Sequence, residues 1–133
     1  MTATVTYLGD LRTENTHVKS GSTFVTDAPV DNNGKGEAFS PTDTVATGLA
    51  SCMITVMGIK AIDFGYDMAG TKAEVTKTMS ANPRRISKIE VILSFPEGAD
   101  SKTQKILENT GRTCPVLQSL HPDIEKNITF NWK

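Results

Sequence analysis

The 133-residue chain is short of several things. Aromatics make up 6% of it, and it holds two histidines and two cysteines. It has no excess of either charge sign: 14 basic and 15 acidic residues leave a net charge of -1. That balance gives no electrostatic reason to expect nucleic acid or an anionic membrane as partner. With 38% hydrophobic residues and few large aromatic ones, the core of a one-domain chain is thin. A thin core points to further apolar burial against another subunit. The opening "MTATVTYLGD" lacks a basic start, an apolar run and a small-residue cleavage site. The uncharged stretch Thr44 to Ile59 is interrupted by Thr and Ser and is shorter than the roughly 20 residues of a membrane span. The expectation is a cytoplasmic protein. There, Cys52 and Cys114 are not expected to form a permanent structural disulfide, since a cytosolic pair is more often catalytic, redox-active or buried.

Catalytic signatures are missing too. No G-x-S-x-G is present, and "GKGEAF" lacks the strand-to-helix setting of a phosphate loop. His17, His121 and the two cysteines form no local pair with zinc-ligand spacing, so no metal is expected. The 62-residue separation of the cysteines excludes a C-x-x-C motif but not contact in space.

What is present reads as α+β. "TATVTYL" alternates as a strand, Gly9-Asp10 turns it into "LRTENTHVK", and "STFVTDAP" makes a third strand. "PVDNNGKGEAFS" reads as a mobile loop. Ser40 as N-cap, Pro41 at the first helical position and Asp43 in the first turn start a helix that runs to about Asp63 and stops at Gly65. Val45, Leu49, Cys52, Val56 and Ile59 form an apolar seam, with Ala46, Ala50, Met53 and Met57 on a neighbouring face. That helix is therefore expected to be central and largely buried. Two long strands, "MAGTKAEVTKTMS" and "RRISKIEVILSF", join through Asn82-Pro83. A helix from about Ala99 to Thr110, a short helix after Cys114-Pro115 and a closing strand "KNITFNWK" complete the chain.

On local physics Cys52 reads as structural. It lies too far from the helix start to feel the dipole and would need a cation from elsewhere in the fold. Cys114, at a helix N-terminus, is the thiol expected to be more acidic.

The segment "SPTDTVATGLASC" resembles the start of the central helix of the osmotically inducible protein C / organic hydroperoxide resistance (OsmC/Ohr) family, with the cysteine eleven residues after the proline. "TCPVLQSL" at Cys114 matches the family's second, late cysteine. The likeness extends over nearly the whole chain. It implies a single OsmC-like domain over residues 1–133, with antiparallel sheets packed around a buried helix in an intertwined homodimer. It also implies reduction of organic hydroperoxides without a cofactor. Cys52 would be the nucleophile, Cys114 the resolving thiol, and an external dithiol, such as a lipoylated protein, the reductant. The family pairs an arginine with a glutamate to activate the thiolate. Here Arg12 is the early-strand arginine, while the glutamate position is Thr42 and the acid next to it is Asp43, turned about 100° round the helix. Asp43 reads equally as a capping carboxylate, and Arg112, beside Cys114, is another candidate cation. The alternative implied by these departures is a weak or inactive member that binds a small apolar ligand or partner at the dimer groove.

Overall fold

The computed structural model describes residues 1–133. Six strands and three α-helices give the expected α+β class. The chain divides into two compact units, Met1–Val45 and Ala46–Lys133.

In the first unit β1 (Ala3–Gly9), β2 (Arg12–His17) and β3 (Thr23–Asp27) form an antiparallel sheet in that order. Gly9, Asp10 and Leu11 all adopt positive φ at the β1–β2 turn. The left-handed conformation is free for the glycine and costs the leucine about 1 kcal/mol. In the ladder, Val5 lies opposite Asn15 and Asn15 opposite Phe24, so one face carries an aliphatic–polar–aromatic row. Val5, Tyr7 and Phe24 are exposed.

The segment read as a mobile loop lies at the surface and is hydrogen-bonded back to its own start. After a 3-10 turn at Val30–Asn32, Gly34 N–H donates to Pro29 O (2.9 Å) and Gly36 N–H to Ala28 O (3.2 Å). A Cβ on Gly34 would lie 1.7 Å from Ala28 O, so only glycine fits that approach. Asn and Gly in this stretch specify a particular turn rather than freedom.

α1 (Pro41–Ala61) begins with a reciprocal capping box. Ser40 N–H donates to the Asp43 carboxylate (2.9 Å) and Asp43 N–H to Ser40 Oγ (3.0 Å). A 3-10 turn, Ile62–Phe64, follows, and Gly65 at φ 61 ends it, as the sequence predicts.

In the second unit β4 (Lys72–Ser80), β5 (Arg85–Ser94) and β6 (Glu125–Asn131) form a sheet in that order. β4 and β5 are antiparallel, but β5 and β6 are parallel. The expectation of antiparallel sheets therefore fails at this one pairing. A parallel partner needs a long crossover, which α2 (Ser101–Gly111) and α3 (Pro115–Ser119) provide. The register lines up Ala73, Leu93 and Phe130 in one row and Val75, Val91 and Ile128 in the next. Val91 and Leu93 are fully buried, and this face shares its core with Leu49, Met53 and Met57 of α1 and Leu107 of α2. α2 is capped by Asp100, whose carboxylate accepts Thr103 N–H at 2.8 Å. It ends at Gly111, where a Cβ would stand 2.8 Å from Met57 Sδ, so helix and glycine meet closely. Half the aromatics gather at one place. Trp132 stacks on Phe95 (centroids 3.9 Å), near Tyr66 and Phe130, and its indole N–H donates to Glu108 at 2.8 Å.

α1 corrects one expectation about faces. Its buried residues are Ala46, Leu49, Ala50, Met53, Met57 and Ala61. Apart from the fully buried Leu49, the seam that carries Cys52 is the more open side: Val45 and Ile59 are exposed, Cys52 and Val56 half-buried. Two adjacent apolar stripes share the same periodicity, and only packing decides between them. By length and composition α1 with its 3-10 extension could cross a membrane, but its buried stripe is a wall of the protein core.

Candidate functional site

Cys52 rides on the middle of α1, on the stripe next to the buried one, and is half-buried. Its helix is well held on both sides, with Met53 and Met57 fully buried. One turn before it lies Gly48, where an added Cβ would meet nothing within 4 Å. Helical side chains lean toward the preceding turn, so Cys52 is directed over that gap.

Cys114 is completely buried at the head of α3. It is the N-cap of that helix in extended conformation, and its Sγ accepts Leu117 N–H at 3.3 Å. From Arg112 to Asp123 it is the one residue that is buried. Burial pushes its thiol pKa up, and the neighbouring Cys52 thiol adds to the rise, while the Leu117 and Val116 N–H groups pull the other way. The expectation of an acidic Cys114 is therefore corrected, because its thiol is held above its ordinary value. The helix start does supply N–H groups, but desolvation outweighs them.

The structure brings the two cysteines together, although 62 residues separate them. Their thiols are interacting neighbours, both free and not within disulfide-bonding distance. Arg112, a candidate cation by its place beside Cys114, lies over the Phe130 ring, 5.1 Å from the centroid.

Within the first unit Arg12 has two acidic partners, neither of them Asp43. Its Nε and Nη2 donate to both Asp27 carboxylate oxygens at 2.7 and 2.9 Å, and Nη2 also donates to Glu37 at 3.2 Å. Asp27 is buried, Glu37 exposed. Asp27, helped by Glu37, raises the Arg12 pKa, and Arg12 in turn holds the Asp27 carboxyl below its ordinary value of 3.8. Glu37 N–H donates to Asp27 as well, at 3.1 Å, so this cluster ties the loop to the sheet. Asp43 meanwhile closes the capping box of α1. Asp27 and Glu37 escaped the sequence reading. The signal for Asp27 is the hairpin register, because Arg12 and Asp27 are direct ladder partners. For Glu37, 25 residues from Arg12 in a loop, no local signal exists.

No His, Cys, Asp and Glu cluster in the structure could hold a metal ion. A surface concavity of about 520 Å³ lies on the first sheet, lined by Asn15, His17, Ser20 and Phe24 among others.

A family model described as OsmC-like protein matches residues 34–129. Among solved structures, a putative osmotic stress induced and detoxification response protein from Psychrobacter arcticus 273-4 is 56% identical, with TM-score 0.95 over 98% of this chain and 96% of that one. An organic hydroperoxide resistance protein OsmC from Legionella pneumophila shares the fold at 13% identity (TM-score 0.76; 98% and 97% covered). An organic hydroperoxide resistance protein from Elizabethkingia anophelis does so at 16% identity (TM-score 0.73; 100% and 97% covered). No curated protein matches.

Proposed function

The chain belongs to the OsmC-like protein family, and from that premise we propose that it is a cytoplasmic thiol peroxidase that reduces organic hydroperoxides. The observation that carries the reading is the pairing of a half-buried thiol, Cys52, with a fully buried one, Cys114. The accessible sulfur is the one a peroxide reaches. Cys52 as thiolate attacks the O–O bond, taking one oxygen as sulfenic acid, while the other oxygen takes a proton and leaves as alcohol. Cys114 then displaces the hydroxyl as water and closes a disulfide. An external dithiol, lipoylated or otherwise, reopens it by exchange.

A thiolate needs a positive charge nearby. The family resemblance assigns that charge to Arg12, which Asp27 orients, while Asp43 serves by capping the helix that carries Cys52. A homodimer completes the assembly, which the exposed apolar residues Ile59 and Ile62 at the end of α1 and the exposed strand β1 support.

The test is stopped-flow reduction of cumene hydroperoxide with thiol titration and intact mass. Cys52→Ser should lose peroxide consumption by at least about a hundredfold, the scale of removing a nucleophile. Native-rate consumption by that variant sinks the mechanism. A second reading, an inactive member that binds an apolar ligand, is favoured by the double carboxylate grip on Arg12, which neutralises it. That reading gains if peroxide leaves both thiols titratable.

A further inference from the structure

The two sulfurs are neighbours without being within bonding distance, so closing the disulfide required by the proposed function turns at least one of the two side chains. α1 holds Cys52 in the middle of a 21-residue helix, between residues that pack into the core on either side. The helix is further braced by hydroxyl bonds from Ser51 to Thr47 O and from Thr55 to Ser51 O.

Cys114 sits in a different setting. Upstream, Gly111 is locked against Met57 and Met53; downstream, the next buried residue is Ile124. Between those two anchors the chain has one fully buried side chain, that of Cys114, while Val116, Leu117 and Leu120 are partly buried against the core. The five-residue helix is closed at its start by the Cys114 sulfur accepting Leu117 N–H and the Cys114 carbonyl accepting Gln118 N–H (3.1 Å). A helix this short has almost no stability of its own and depends on its cap.

We propose that α3 is a redox-released segment, with Cys114 acting as its cap when reduced and letting it go when oxidised. This rests on the Cys52–Cys114 pairing of the proposed function. When Cys114 attacks Cys52 sulfenic acid, a sulfur–sulfur bond forms and the sulfur–oxygen bond breaks. The hydroxyl and the thiol proton leave as water. The Cys114 sulfur then turns toward α1 and away from Leu117 N–H. That donor loses its acceptor and the first turn of α3 opens, leaving residues 113–120 held by the disulfide, by their chain ends and by the partly buried Val116, Leu117 and Leu120. The consequence is access. In the reduced protein Cys114 has no exposed surface, so no dithiol reaches it. Once α3 opens, its side of the disulfide faces solvent and can be attacked.

The experiment is amide hydrogen exchange on the reduced protein and on the protein oxidised with diamide, which accepts the two thiol hydrogens and needs no peroxide chemistry. Intact mass and peptide mapping identify the Cys52–Cys114 disulfide. Exchange at Leu117 and Gln118 should be faster by about five- to tenfold in the disulfide form, the effect of losing one helix cap, while α2 amides are unchanged. Trypsin should also cut after Arg112, an exposed residue at the edge of the segment, faster in the oxidised protein. Cys114→Ser keeps a capping oxygen and cannot be oxidised to the disulfide, so its α3 amides should ignore diamide. Unchanged exchange in a verified disulfide form overturns the inference, and so does failure of diamide to make that disulfide. A protein that ignores cumene hydroperoxide but behaves as expected with diamide overturns the peroxidase reading alone.

Discussion

Arg12 and Asp27 face each other across the β2–β3 ladder and join by two parallel hydrogen bonds, with Glu37 as a third, exposed member. Paired Nε and Nη2 donors on both oxygens of one carboxylate fix the guanidinium in position as well as in charge.

This pair makes stability depend on pH in a definite direction. Asp27 titrates below its ordinary 3.8 in the folded protein because Arg12 favours the carboxylate. Its stabilisation is then complete above the ordinary value and is lost as pH falls through the folded one. Asp27→Asn should lower Tm by several degrees at pH 7, and the gap to the parent protein should close as the pH falls below 3.8. Calorimetry at several pH values checks this. A gap that is constant with pH rules the charge out as the cause.

Cys114 gives the opposite slope. Burial holds its pKa above 9.0, so the folded state keeps its proton where the unfolded chain has lost it. Its contribution is present below 9.0 and is lost as pH rises past that value. Alkylation by iodoacetamide at pH 8 should modify Cys52 first and Cys114 slowly, as peptide mapping would report. Equal rates at the two sites contradict the burial argument.

Gly48 separates stability from access. Nothing lies within 4 Å of where its Cβ would be, so Gly48→Ala should stabilise α1 by about 0.5–1 kcal/mol, the helix-propensity gain. The same methyl group narrows the gap beneath Cys52. Reduction of a bulky hydroperoxide should slow more than reduction of hydrogen peroxide. A stability gain with no change in that ratio shows that substrate does not approach over Gly48.

For Asp43 the capping role and a catalytic role make different predictions. Asp43→Ala should destabilise by at least about 1 kcal/mol through the lost cap, whereas Asp43→Asn retains an acceptor for Ser40 N–H and should lose less. If Asp43→Asn turns over peroxide normally, the carboxylate charge has no part in activating Cys52.

Much of this molecule was legible in its sequence because the relevant physics is local. The ends of α1 follow from Ser40, Pro41 and Gly65, and the buried faces of β4 and β5 follow from period-two alternation. What was not legible depended on tertiary packing. Two apolar stripes on α1 carry the same periodicity, and only the placement of the core shows that Met53 and Met57 are inside while Ile59 is outside. Cys114 looked acidic from its helix start, a local signal that burial overrides. Glu37 reaches Arg12 from a loop whose composition carries no signal for a fixed contact. At the candidate site the two cysteines were legible through the family's spacing, while the acid partners of Arg12 were not.

The first sheet carries a consequence for how much of this protein a cell must hold. Among residues 1–45 only Thr26, Asp27 and Ser40 are buried, so three strands are folded with no hydrophobic interior of their own. A sheet of that kind is marginal unless something covers it. If a second copy is the cover, folding and association are one equilibrium, and Tm rises with protein concentration. Abundance would then act as a control in itself. A trickle of newly made chains would be short-lived, while a burst of synthesis would stabilise its own product.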